Sequence, residues 1–209
     1  NDKRWGPLSG RLLHTSFGKG WLYYMMLQEV DGHDQAAIVR LKIDALTGIH
    51  RARVNPVDGQ VYATGLNGWN GHGRKGLSQG HVHRFRYTGK PARLLVDTKV
   101  HPNGIELKFN FPLDTGTATD PARYQLKQWN YQWTAGYGSK QYAPTSGKVG
   151  QEDVVITRVK LNADKNSVFL EIPDIRPVNQ VKMNLNLSAA DGVGFQELVY
   201  LTINKVPKP

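Results

Sequence analysis

Along "GIELKFNFPLD", Ile105, Leu107, Phe109 and Phe111 alternate with Glu106, Lys108 and Asn110. A period of two predicts a strand with one buried face. Comparable short runs fill the chain. "RLLHTSFG", "GWLYYMMLQEV" and "QAAIVRLKI" are set apart by Gly18-Lys19-Gly20 and by Asp31-Gly32-His33-Asp34. Such runs between Gly/Asp clusters read as antiparallel strands. "GIHRARVNP" and "GQVYATG" are joined by Asn55-Pro56-Val57-Asp58-Gly59, a hairpin signal in which proline presets φ and glycine accepts φ > 0. In "HVHRFRYTG" the positions Val82, Phe85 and Tyr87 do not alternate, which predicts a bulge near His83–Arg84. Later, "DPARYQL" predicts one turn before strand entry, "DVVITRVKL" and "VFLEIPDI" a hairpin about "NADKNS", and "QVKMNLNLSAADG" and "FQELVYLTINKV" two closing strands. No long helix is predicted. The fold class is all-β, and short strands at this spacing from residue 94 onward suggest an Ig-like β-sandwich.

With 209 residues and 39% hydrophobic content, the chain can bury a core. It has no apolar run long enough for a membrane-spanning helix. The lack of cysteine excludes disulfides and thiolate metal sites. Charge is uneven: residues 1–95 carry 14 Lys/Arg against 6 Asp/Glu, the remainder 13 against 11. No acid lies between Asp58 and Asp97. This basic stretch favours an anionic partner, such as acidic polysaccharide, phosphate, nucleic acid or an acidic protein, or is a solvated face. Nucleic acid is disfavoured because no recognised binding motif is present.

Three groups of residues could carry chemistry. The glycines at 65, 68, 71, 73, 76 and 80 allow backbone N–H groups to converge, and Arg74, Lys75, Arg84 and Arg86 add charged donors, with Trp69 at the loop's centre. This suits an anion; the alternative is a structural connection. His81 and His83, at i and i+2, share one strand face, and His72 could join them around copper or another metal favouring imidazole. No carboxylate lies nearby, and the flanking cations oppose a metal. Trp129, Tyr131 and Trp133 alternate and would share a face, either as a sugar-stacking platform or as sandwich core. No GxSxG or HExxH motif occurs, so the chain alone leans away from an enzyme.

The order "WGPLSG", "RARVNPVDGQVYATG", "RFRYTGK", "HPNGIELKFNFPLD" and "YQL" resembles the C-terminal part of bacterial PQQ-type sorbosone or glucose dehydrogenase-like β-propeller proteins of planctomycete type. The resemblance covers nearly the whole chain, through short motifs partly common to β-hairpins. It implies a propeller-blade-like antiparallel segment of about two blades over 1–93, followed by an Ig-like β-sandwich over 94–209. Two blades cannot close a ring. The implied role is therefore a non-catalytic accessory or C-terminal module that braces a propeller and engages a protein partner, or the rest of a larger propeller protein. His14 and Arg53 are the residues it would bring to a central propeller face. PQQ or haem would sit on the partner portion rather than on this chain, any enzyme would be a quinoprotein sugar dehydrogenase, and the setting would be periplasmic or extracellular. Two other readings stand beside it: a carbohydrate-binding module for acidic polysaccharide, and a small copper protein built on His72, His81 and His83.

Overall fold

A computed structural model describes residues 3–67 and 73–209. The protein is all-β, built from antiparallel sheets. It divides into two compact units, Asn1–Met25 with Val39–Ala92, and Met26–Ile38 with Arg93–Pro209. The tip of the hairpin formed by β2 (Trp21–Val30) and β3 (His33–Asp44) thus belongs to the second unit and its base to the first.

In the first unit β1 (Leu12–Ser16) pairs with the base of β2, from Leu12 opposite Met25 to Ser16 opposite Trp21. A separate three-stranded sheet has the order β4 (Arg51–Val54), β5 (Val61–Leu66), β6 (Gly80–Phe85). The expected "NPVDG" turn joins β4 to β5: Gly59 N–H donates to Asn55 O at 2.7 Å, and Gly59 takes φ 68°. Leu22, Ile49, Val61, Ala63 and Phe85 form one core, with Trp5 and Leu13 packed against it. Gly65 is required by crowding, because a Cβ there would meet Gly48 O at 1.4 Å.

The expected bulge in β6 is absent. Its register with β5 is continuous from Gly80 to Phe85. Phe85 is buried and Val82 is 67% exposed, so Val82 lies on the opposite face and the alternation never breaks.

The second unit has two sheets. In one, the order is β11 (Arg158–Leu161), β12 (Ser167–Glu171), β8 (Gly104–Phe109), β7 (Leu95–His101). In the other, the β2–β3 tip is followed by β14 (Gly194–Ile203), β13 (Val178–Ser188), β9 (Tyr124–Trp129) and β10 (Glu152–Asp153). Ile105, Leu107 and Phe109 are buried as the alternation requires, but β8 ends at Phe109, and Phe111 makes an edge-on contact with it at 5.5 Å. The hairpin tip turns through Asp31 and Gly32, with φ 48° and 76°, which suits a tight two-residue loop. "DPARYQL" makes its expected turn, a 3-10 segment Pro121–Arg123 capped by Asp120. A single helical turn, α1 (Thr115–Ala118), is capped by Asp114, whose side chain accepts from Thr117 N–H at 2.8 Å.

"DVVITRVKL" is not one strand. Glu152–Asp153 pairs with β9, whereas Arg158–Leu161 pairs with β12 in the other sheet. Between them the chain leaves one ladder and joins the other: Val154 N–H donates to Leu126 O and Thr157 N–H to Glu171 O. The expected β11–β12 hairpin does form about Asn162–Asn166.

Two glutamines knit the second unit. Gln28 presents its carboxamide to β7 like a strand peptide, donating from Nε2 to Val100 O at 2.9 Å and accepting from Val100 N–H at 2.8 Å. Gln35 donates to Gln28 Oε1 at 3.0 Å and accepts from the backbone N–H groups of Asn204 and Lys205, both at 3.1 Å. Gln35 is buried, so each of these partners replaces water it has lost.

Candidate functional site

The glycine-rich segment following β5 meets the rest of the first unit through Arg74. Its backbone N–H donates to Gly18 O at 2.8 Å, Nε to Lys19 O at 3.0 Å, and Nη2 to Ala45 O at 2.8 Å. A guanidinium spread over two carbonyls ties down a loop, so two of its five donors are already engaged. Lys75 beside it is exposed. Ser78 adds a further tie, with N–H and Oγ both donating to Leu46 O. Trp69 and His72 lie outside the described residues.

His81 and His83 share a face of β6, with ring centroids 5.0 Å apart. His83 is already committed: Leu46 N–H donates to its Nε2 at 2.9 Å. The neutral ring therefore carries its proton on Nδ1, which is buried beside the Ala63 backbone without a well-formed partner. Burial, then the neighbouring His81, holds the His83 pKa below its ordinary value. The Nε2 lone pair that would ligate a metal is thus occupied by a backbone donor. Among the described residues no group of three or more His, Cys, Asp or Glu is placed to hold a metal ion.

The aromatic series divides at the end of β9. Trp129, the last residue of β9, is 3% exposed and belongs to the core. The alternation expected to carry Tyr131 and Trp133 onto the same face stops there. Tyr131 is half-exposed, its ring edge-on to Trp129 at 6.5 Å. Trp133 and Tyr137 stand wholly in solvent, at 103% and 109% of the reference exposure.

This loop is held at its base and braced inside. Asn130 N–H donates to Tyr142 O at 2.7 Å and Tyr142 N–H returns to Asn130 O at 2.9 Å, while Gln132 N–H donates to Ser139 Oγ at 2.9 Å. At its foot, Asn130, Tyr131 and Asn179 line a shallow recess of about 310 Å³. Asn179 Oδ1 accepts from Tyr131 N–H at 2.8 Å, and Asn130 Oδ1 accepts from Asn179 N–H at 2.9 Å. Both carboxamide oxygens being held by backbone donors, both NH₂ groups are fixed in orientation. The amide pair has no sequence signal, since it is assembled by residues 49 positions apart.

Arg84 stands on β6. It lies opposite Tyr62 in the β5–β6 register, and Tyr62 in turn lies opposite Arg53 of β4. Arg86 follows, exposed, beyond the end of β6. Compared with protein-family models, with curated proteins and with solved structures, the chain matches none.

Proposed function

We propose that the protein is a carbohydrate-binding module that recognises an acidic polysaccharide, with the Trp133–Tyr137 loop as a contact site. The observation that carries this reading is the full exposure of two large aromatic rings on a loop closed at its base by a reciprocal hydrogen-bonded pair. Solvent-facing aromatic rings bind the apolar faces of sugar rings, and oriented amide groups such as those of Asn130 and Asn179 satisfy hydroxyls. The sequence from Asp120 to Glu152 holds Arg123, Lys127, Lys140 and Lys148 with no acid between, which favours a carboxylated or sulfated chain. The test is affinity electrophoresis through gels containing polygalacturonate, with neutral dextran as control. Retardation by polygalacturonate, lost in Trp133→Ala/Tyr137→Ala, is expected. Equal mobility of this variant and the parent protein would overturn the loop's role.

Finer features of the fold fit this reading. The second unit is proposed to be an Ig-like sandwich. What supports it is the pair of strand orders β7-β8-β12-β11 and β9-β13-β14, which follow the ABED and CFG orders of an Ig constant-type domain. The accessory-module reading has its own support in the first unit. There β4, β5 and β6 form an antiparallel meander of consecutive strands, as in a propeller blade, and β4 and β6 are its edges. Native mass spectrometry of the protein from its source tests this reading: a co-migrating polypeptide is expected, and a bare monomer would count against it.

A further inference from the structure

The whole formal charge of the protein resides in its first unit. That unit carries 13 Lys/Arg against 3 Asp/Glu, whereas the second carries 14 against 14, so the net +10 is borne by the first. Register then concentrates part of it on one surface. Directly opposed residues in an antiparallel ladder project from the same face. Arg53, Tyr62 and Arg84 are opposed in sequence across β4, β5 and β6, and the adjoining row is Arg51, Thr64 and Val82. These rows lie on the face opposite Val61, Ala63 and Phe85, which fill the core. Arg51, Arg53 and Arg84 are exposed, and among the described residues no ion pair engages them. Arg51 and Arg53 are about 7 Å apart along their strand, and Arg84 is about 10 Å across the sheet from Arg53. That is within about one Debye length at 0.1 M salt, so their fields add.

The centre of the face is held in place. Tyr62 is half-buried and its hydroxyl donates to Asp58 Oδ2 at 2.8 Å. The Gln60 N–H, then the Tyr62 hydroxyl and the charges of Arg84 and Arg4, keep the Asp58 carboxyl below its ordinary pKa. Asp58 therefore stays ionised at the margin and anchors the ring between the arginines.

We propose that this outer face of β4–β5–β6 is a binding surface for a polyanionic glycan, taking carboxylates or sulfate esters on Arg51, Arg53 and Arg84 and a sugar ring against Tyr62. The class of ligand rests on the carbohydrate reading above, whereas the anion preference rests on the register and charge alone. A glycan is favoured over nucleic acid because a single anchored ring offers no run of stacking platforms for successive bases.

The test is salt elution of the intact protein from immobilised heparin and from immobilised polygalacturonate. Arg51→Gln/Arg53→Gln/Arg84→Gln is compared with a control that removes three positive charges from the second unit outside the loop site, Lys108→Gln/Lys160→Gln/Lys182→Gln. The face variant is expected to elute at clearly lower salt than the control, with affinity roughly ten-fold weaker or more at low salt, because charge-assisted contacts are lost. Matching elution of the two variants would overturn the proposal, and so would a stronger affinity of the parent protein for single-stranded DNA than for either glycan. All six positions are exposed or half-exposed, and matching circular dichroism and melting curves establish that both variants fold. Trp133→Ala/Tyr137→Ala separates the two sites: normal salt elution of that variant, with the face variant weakened, leaves this surface standing even where the loop reading fails.

Discussion

The two units of this protein are held together by different means. The second relies on long ladders and a deep apolar layer: β13 pairs along most of its length with β14, and Leu107, Val168, Leu170 and Met183 have no accessible surface. The first has a smaller core, and like the second it is tied by side-chain-to-backbone hydrogen bonds. Arg74 binds Lys19 O and Ala45 O, His83 accepts from Leu46 N–H, and Arg4 donates to Pro56 O and Val57 O. The unit with the fewer large buried residues also holds all the net charge, so losing one of these ties weighs on a unit whose smaller core already offsets self-repulsion. Each such contact is directional, and its loss is felt locally.

That contrast can be broken, starting with the largest effect. Leu107→Ala removes a fully buried side chain from β8 and should destabilise the second unit by about 2–5 kcal/mol, read as a lowered midpoint in urea. A loss below about 1 kcal/mol would mean that the layer is loosely packed. Gln35→Ala strands the N–H groups of Asn204 and Lys205 and should cost about 1–3 kcal/mol, with faster hydrogen exchange confined to residues near 204. Unchanged exchange there would remove the glutamine relay from the account. Arg74→Ala, at a half-exposed site, should cost about 1 kcal/mol and increase proteolytic nicking of the glycine-rich segment. Leu107→Ala should leave that nicking unaltered at low temperature, and equal nicking in both variants would erase the distinction between the units.

The smallest effect is a pH dependence. The folded pKa of His83 is depressed, so the unfolded chain binds its proton more readily. Its contribution to stability is complete above the ordinary value of 6.5 and declines as pH falls through the folded value. Protonation would turn the Nε2 acceptor into a donor facing the Leu46 N–H. His83→Gln, which keeps an acceptor without the titration, should flatten the melting temperature between pH 7 and pH 5 in the first unit. A profile as steep as that of the parent protein would place the titration elsewhere.

Where one face is polar and the turn chemistry is explicit, the sequence is a good guide. β8 and the turns at "NPVDG" and "NADKNS" meet both conditions. "WLYYMML" meets only the second: Leu22, Tyr24 and Met26 are buried while Trp21, Tyr23 and Met25 are half-buried, so both faces are apolar, no period of two is visible, and the flanking Gly and Asp turns alone mark the strand. β7 carries no clear alternation in the sequence, because its register shifts between Leu95 and Asp97. The bulge expected in β6 would be needed only if Val82 were a core residue, and Val82 is instead a surface valine, as is commonplace on a sheet. Among the candidate site residues, the neighbours of Arg84 could not be foreseen. Arg53 and Arg51 reach its face only through strand pairing, and a single sequence does not give register. Trp129 and Trp133 were separable in principle, since Gly136 and Gly138 mark a loop, but alternation alone pointed to a continuous strand.

The placement of the Met26–Ile38 hairpin tip bears on how the chain is made. Gln35 leaves the ribosome 169 residues ahead of Asn204, the residue whose backbone it must satisfy. At about 5–20 residues per second, the nascent hairpin waits on the order of ten seconds or more for its partners. During that interval Met26 and Val30 have no second unit in which to be buried, and a newborn chain carrying such a strand pair is open to capture by chaperones. A two-domain chain cut at one linker would allow each half to mature separately. Here the second half cannot close until the first has already delivered a piece of it.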